Sequence, residues 1–402
     1  MTRPADLPLL FLTRALRMFA YGVASVVLVL HLSAAGYGEA RIGLLVSFTL
    51  LGDVAVSLAV TTRADRVGRR RMLVLGGMLM LLAGAAFAAT TAFPLLALAA
   101  TIGVLSPSGN EVGPFLSIEQ AAIAQELSPG ARTAAFAWYQ LTGALATAAG
   151  ALAGGVLAET LQRAGVAPLR SYQLLFAGYA VAGAALALLF TRLSGAVEPP
   201  RARAAARGDL GLHRSRAVVL RLSALFSLDA FAGGFVVQSF VAWWFHRRFG
   251  AGPALLGAIF FGANVLAGVS ALSAAAIARR FGLVNTMVFT HLPSNVLLAL
   301  VPFMPTLPLA VAVLLLRFSI SQMDVPTRQS YTMAVVDPDE RSAAAGVTGI
   351  ARTLGAAVAP LAAGPLYASA ALSGAPFLVA GALKVVYDVL LWRAFRGVGE
   401  GK

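Results

Sequence analysis

Residues 40–71, ARIGLLVSFTLLGDVAVSLAVTTRADRVGRRR, decide what kind of chain this is. The stretch 40–61 is mostly apolar, and Arg41 and Asp53 are its only charged residues. As a helix rising 1.5 Å per residue it is long enough to cross a hydrocarbon layer about 30 Å thick. Five arginines follow at once, Arg63, Arg66, Arg69, Arg70 and Arg71. Basic residues at the end of an apolar span mark its cytoplasmic side.

The same alternation of apolar run and polar turn fills the rest of the chain. Runs near 9–32, 40–61, 72–92, 95–126, 133–158 and 171–193 form a first half. Runs near 217–245, 253–277, 283–304, 308–335, 342–367 and 375–395 form a second. The composition agrees, with 59% hydrophobic and 12% charged residues in 402 against about 25% charged in a soluble domain. The expected fold is an all-α integral membrane protein of twelve transmembrane helices in two six-helix bundles. Its expected divisions are 1–193 and 217–402, joined by an arginine-rich cytoplasmic linker at 194–216. Arg3, Arg14, Arg17, the Arg63–Arg71 loop, the linker, Arg279, Arg280 and the C-terminal tail then fall on one side. By the positive-inside rule both termini are cytoplasmic, and the membrane is expected to be a bacterial inner membrane. Arg14 and Arg17 within the first run, and later runs of equal length, favour a retained first helix over a cleaved signal peptide.

Composition also narrows the chemistry. Without cysteine there are no disulfides and no thiolate sites, and His31, His213, His246 and His291 form no i, i+4 pair; no metal and no cofactor is expected. The net charge of +14 is distributed as a topology signal, so anionic lipid rather than nucleic acid is the expected partner. No nucleotide-binding Gly-x-x-x-x-Gly-Lys-Ser/Thr loop occurs, nor a clustered set of catalytic groups, so neither ATP-driven work nor an enzyme is expected.

The halves repeat. Ser128-Pro129-Gly130-Ala131-Arg132-Thr133-Ala134-Ala135 pairs with Asp337-Pro338-Asp339-Glu340-Arg341-Ser342-Ala343-Ala344, 209 residues on. That register sets Glu119 opposite Arg328, Gln120 opposite Gln329 and Gly155 opposite Gly364. Ala64-Asp65-Arg66-Val67-Gly68 is echoed by Ala278-Arg279-Arg280-Phe281-Gly282 at an offset of 214, which also aligns Gly43 with Gly257. Duplicated six-helix halves suit alternating access, with two bundles rocking about a shared site.

The segment Thr61 to Arg70 resembles the Gly-x-x-x-Asp-Arg-x-Gly-Arg-Arg signature of the major facilitator superfamily, with Thr61 in place of the leading glycine. The resemblance implies that Asp65, Arg66, Gly68, Arg69 and Arg70 latch the cytoplasmic side. Gly150-Ala151-Leu152-Ala153-Gly154-Gly155 resembles the Gly-Pro-x-x-Gly-Gly element of that family's exporters and antiporters, lacking the proline. Its repeat supplies one at Pro360, before Gly364. Gly150, Gly154, Gly155, Pro360 and Gly364 are therefore expected at a helix–helix interface between the halves, where small residues admit close approach. The Arg-Phe pair common in exporters is absent from the fourth span but stands at Arg317-Phe318 in the tenth.

Ionisable residues within spans need a partner or a purpose. Arg317, Asp324 and Arg328 lie at helical spacing and are expected to form one polar stripe. Glu111, Glu119 and Gln120 lie in a segment interrupted by Pro107, Gly109, Gly113 and Pro114, expected to be a broken helix. Glu119 and Arg328 are expected to make and break an ion pair between the halves. Glu119, Asp324, Asp53 and Asp229 are the proton-site candidates, and Arg352 is a candidate for binding an anionic group or for satisfying Asp324. Lys384 and Asp388 read as a local i, i+4 pair. Trp243, Trp244, His246 and Arg247 read as an interfacial belt. The expectation is a monomeric secondary transporter that exports a small organic or amphiphilic solute in exchange for protons. The alternative is a proton-coupled uptake symporter for a metabolite.

Overall fold

The computed structural model describes residues 6–111, 113–127, 129–198, 214–337, 340–369 and 371–397, with the side chains at 62, 65, 66, 124, 129–134 and 341–343 outside the description. In chain order the helices are α1 (Leu7–Ala34), α2 (Glu39–Val67), α3 (Arg69–Ala89), α4 (Phe93–Ile102), α5 (Phe115–Glu126), α6 (Pro129–Arg163), α7 (Pro168–Thr191), α8 (Arg216–Gly234), α9 (Gln238–Phe249), α10 (Pro253–Phe281), α11 (Leu283–Leu300), α12 (Leu307–Ile320), α13 (Asp324–Val335), α14 (Arg341–Ala368) and α15 (Ala375–Phe395). Prolines stand in the first turn of α1, α4, α7, α12 and α15, where the missing N–H has no partner to lose.

Within the described residues these helices make twelve spans, three of them split. Among the described residues eleven segments are long and apolar enough to cross a membrane. The remaining span, fourth in order, joins the short apolar α4 to α5 through an irregular stretch. The seventh span is α8 and α9, and the tenth is α12 and α13. The break in the fourth was expected from its glycines and prolines; those in the seventh and tenth were not. The 209-residue offset of the sequence repeat also separates Phe115 from Asp324 and Glu126 from Val335, so α5 and α13 are the same element in two copies.

Two compact units emerge. The first comprises Met1–Tyr37, Phe48–Arg207 and Gly250–Phe261. Within it α1 lies along α6 and α3 along α7. A Cβ on Gly150 would sit 2.0 Å from the carbonyl oxygen of Phe19, so α6 meets the α1 backbone directly. A Cβ on Gly155 would sit 2.1 Å from Pro253 O and 2.9 Å from Gly257 Cα, where the start of α10 crosses α6. Lipid offers no hydrophobic drive for helices to associate, so such van der Waals fit carries the packing.

The second unit comprises Gly38–Ser47, Gly208–Phe249 and Gly262–Lys402. Here α8 lies along α14 and α11 along α15, the same pairing of spans as in the first. Gly43, at the start of α2, faces Pro360 O and Gly364 across α14, where Cβ distances of 2.5 and 3.1 Å again leave no room for a side chain. Gly155 with Gly257 and Gly364 with Gly43 are thus two copies of one small-residue crossing, each joining a helix of one sequence half to a helix start from the other. Trp243 and Trp244 are buried, at 3% and 2% exposure, against Tyr367 and Phe377. That corrects their reading as an interfacial belt: the seventh span turns at 235–237, and α9 faces inward along most of its length.

Gly155→Leu and Gly43→Leu are each expected to destabilise the protein by roughly 1–3 kcal/mol through overpacking, seen as a lower midpoint of thermal unfolding in detergent. Gly178→Ala, which meets nothing within 4 Å, is expected to leave it unchanged.

Candidate functional site

Each unit contains a knot of buried charge, and in each a split helix supplies part of it. In the first unit the break after α4 is turned by Gly109 at φ +70° and Gly113 at φ +79°, conformations that a side chain resists. Between them the chain delivers Glu111, and α5 then delivers Glu119. Arg14 and Arg17 lie three residues apart on one face of α1; Arg17 meets both glutamates and Arg14 meets Glu111.

The Arg17 guanidinium forks onto Glu119, with Nη1 donating to Oε1 at 3.0 Å and Nη2 to Oε2 at 2.7 Å, while its Nε donates to Glu111 at 2.9 Å. Arg14 donates to the other oxygen of Glu111 at 2.6 Å, to the Gln140 side chain at 2.7 Å and to the Tyr139 carbonyl at 2.7 Å. The Tyr139 hydroxyl and Thr13 also donate to Glu119. Arg17 and Glu119 are wholly buried. Gln120, half-buried beside Glu119, takes no part among the described bonds. Asp53 stands apart. It accepts from the Gly113 N–H and the Ser57 hydroxyl, and no cation pairs with it among the described residues.

In the second unit Asp229 of α8 lies at the centre. Lys384 donates to it at 2.5 Å and Arg328 at 3.4 Å, while Arg352 stands 4.0 Å away and His291 Nε2 3.9 Å. Arg328 also donates to Asp324 at 2.8 Å, one turn back on α13. Asp388 shares a 2.9 Å hydrogen bond with His291 Nδ1 and accepts from Asn295 at 2.9 Å. Arg317 lies over the Phe318 ring, its Nε without a hydrogen-bond partner.

Three expectations are corrected. Arg14 and Arg17 are buried at 2% and 0% exposure rather than exposed beside the first span. Two arginines at i, i+3 inside an apolar run were the available signal, because exposed flanking charges rarely sit that far within a helix. Glu119 and Arg328 each have partners inside their own unit. Lys384 and Asp388 do not form a local pair, since Lys384 reaches α8 and Asp388 reaches α11. The stripe of Arg317, Asp324 and Arg328 is not one helix face, because the chain breaks at 321–323 between them.

The basic motif has its own geometry. Gly68, at φ +114°, turns the chain from α2 into α3. The Glu198 carboxylate accepts from the backbone N–H of Arg69 at 2.7 Å and of Arg70 at 3.2 Å, capping α3. The Arg69 side chain donates to Gln125 at 3.1 Å and Val197 O at 3.2 Å, and Arg70 to Leu193 O at 3.2 Å. Asp65 and Arg66 lie outside the described side chains. In the second unit Glu340 similarly accepts from the N–H groups of Arg214 at 2.7 Å and Ser215 at 2.8 Å, before α8. Neither glutamate stood out in the sequence.

Comparison with known proteins adds the following. A model of the Major Facilitator Superfamily matches residues 10–360. An uncharacterized membrane protein of Saccharomyces cerevisiae, YJR124C, is 32% identical over 424 aligned positions, covering 98% of this chain and 94% of the yeast protein. Among solved structures, a D-xylose-proton symporter superposes with TM-score 0.76 at 16% identity, over 100% of both chains. The nucleoside transporter NupG superposes with TM-score 0.74 at 14% identity, over 98% of this chain and 99% of its own. At such identities the two structures establish the fold.

Arg17→Gln leaves Glu119 buried without its cation, which costs about 3–5 kcal/mol. Thermal unfolding of Arg17→Gln, Glu119→Gln and the double variant is expected to show the double variant less destabilised than the two single losses added together; simple additivity would remove the ion pair from the account.

Proposed function

Because the chain belongs to the Major Facilitator Superfamily, we propose that it is a secondary active transporter that exports a small organic or amphiphilic solute in exchange for protons, by alternating access. The observation that carries this is the pair of charge knots, one in each repeated unit and each built on a split helix. Freed backbone and polar side chains at such breaks are the means by which transporters contact solutes and ions at membrane depth.

Exchange with protons needs a group that can gain and lose one without stranding a buried cation. Glu119 is held by Arg17, and Asp324 by Arg328. Asp53 is held only by an N–H and a hydroxyl. It is the proton carrier in this reading, and protonation would release Gly113 and the break that delivers Glu111 toward the arginines of α1. The arginine distribution supports cytoplasmic termini, and the exporter-like glycines of α6 support outward transport. Uptake by symport is the second reading, favoured by Ala151 in place of the exporters' proline and by the proton symporter among the structural relatives.

The test is accumulation of a broad compound panel in an efflux-deficient bacterium, with and without a proton uncoupler. Cells carrying the wild type are expected to hold less of at least one compound, and uncoupler is expected to erase the difference. Asp53→Asn, present in the membrane at wild-type amounts, is expected to cut export at least tenfold. Higher accumulation with the wild type would establish uptake instead, and undiminished export by Asp53→Asn would remove Asp53 from the coupling step.

A further inference from the structure

His291 has a carboxylate at each of its ring nitrogens. The residue is buried on α11 at 4% exposure. Its Nδ1 shares a 2.9 Å hydrogen bond with Asp388 Oδ1 on α15, and its Nε2 faces Asp229 Oδ1 on α8 at 3.9 Å. The Asn295 amide, one turn along α11, stands 3.1 Å from Nδ1 and donates to Asp388 Oδ2 at 2.9 Å. The Tyr387 ring meets the imidazole edge to face, with centroids 5.9 Å apart.

This arrangement decides the tautomer. An ionised Asp388 only accepts, and Asn295 serves its second oxygen, so the proton between Asp388 and His291 belongs to Nδ1. In the neutral ring Nε2 is then an acceptor, and it turns a lone pair toward a carboxylate oxygen. At 3.9 Å the two make no hydrogen bond. One proton on Nε2 gives an imidazolium whose two N–H groups each face a carboxylate, and the contact with Asp229 becomes an attraction.

That proton can enter without neutralising either aspartate. Asp229 stays ionised for Lys384, which donates to the same Oδ1 at 2.5 Å, and for Arg328 and Arg352, at 3.4 and 4.0 Å from Oδ2. Lys384 and a charged His291 compete for one oxygen, so protonation of the ring weakens the hold of Lys384. The other helices packed along α11 bring Arg317 on α12, and Asp324, Arg328 and Tyr331 on α13. Of these, Arg328 and Asp324 are paired at 2.8 Å.

We propose that His291 is a proton-binding site of the second unit. A proton from solution enters on Nε2, and the imidazolium bridges Asp388 and Asp229. It thereby ties α8 to α11, where the neutral ring leaves α8 tied to α15 through Lys384. The site is separate from Asp53, and its use in transport rests on the transporter reading.

The test is the nitrogen-15 spectrum of the full chain labelled at its histidines and purified in detergent. It is titrated from about pH 8 to about pH 5, the range in which histidine changes charge. Signals absent from His291→Gln identify the ring. Nδ1 is expected to carry a proton throughout, and Nε2 to gain one as the pH falls. Lys384→Gln removes the competing cation and is expected to bind the proton about tenfold more tightly, and Asp229→Asn about tenfold more weakly. Both comparisons use protein with an unchanged elution profile in size-exclusion chromatography. Lys384→Gln keeps both carboxylates, so it decides alone where Asp229→Asn does not fold. An Nε2 that holds one state across the whole range, or a midpoint that neither variant moves, overturns the proposal. A titrating Nε2 in a chain without uncoupler-sensitive transport of any compound keeps the site and removes the transporter reading. Such transport with an Nε2 fixed in one state removes the site alone.

Discussion

A charge carried into the bilayer on a helix must be neutralised by the helices packed around it, because neither water nor lipid will do so. The fork of Arg17 onto Glu119 meets that constraint in the first unit, and much of that unit's architecture follows from it. Glu119 must lie near α1, which requires α5 to begin where it does. That in turn requires the fourth span to break, and the break places Glu111 where Arg14 and Arg17 both reach it. The second unit meets the same constraint around Asp229, with α8, α11, α13, α14 and α15 each contributing a charged or ionisable group.

The two solutions share a scaffold and differ in chemistry. The equivalent helices α5 and α13 carry Glu119 and Arg328 at matched positions, so duplication preserved the backbone while the sign of the charge reversed. The partners reversed accordingly: α1 offers arginines to the first unit, and α8 offers Asp229 to the second. The glycine crossings are conservative by contrast. Gly155 on Gly257 and Gly364 on Gly43 keep the same contact in both copies, because a backbone approach this close tolerates no side chain of any kind.

Fold class, span order and the repeat were legible because they rest on periodic features of many residues: apolar runs about 20 residues long, basic turns and a constant offset. The fourth-span break was legible from Gly109, Gly113 and Pro114. Breaks in the seventh and tenth spans were not read, although Gly233-Gly234 ends α8 just before one and Pro326 stands in the first turn of α13 just after the other. The charged residues were legible as a set but not as pairs. Lys384 and Asp388 at i, i+4 look like partners in one dimension, yet Lys384 turns to α8 and Asp388 to α11, and only the packing of three helices distinguishes these from a local bridge. Arg14 and Arg17 were misplaced for a related reason, because a basic residue early in a first span satisfies the positive-inside rule whether it points to water or into the bundle.

Burial of those two arginines bears on how the chain is made. As α1 leaves the ribosome its carboxylate partners do not yet exist, for Glu111 and Glu119 follow about a hundred residues later. An arginine at the centre of a lone helix disfavours insertion by about 2.5–3.5 kcal/mol, and by less toward the end, where Arg14 and Arg17 stand in α1. The pairing that offsets this cost in the most enclosed of the eleven long spans becomes possible only once the fourth span has been made.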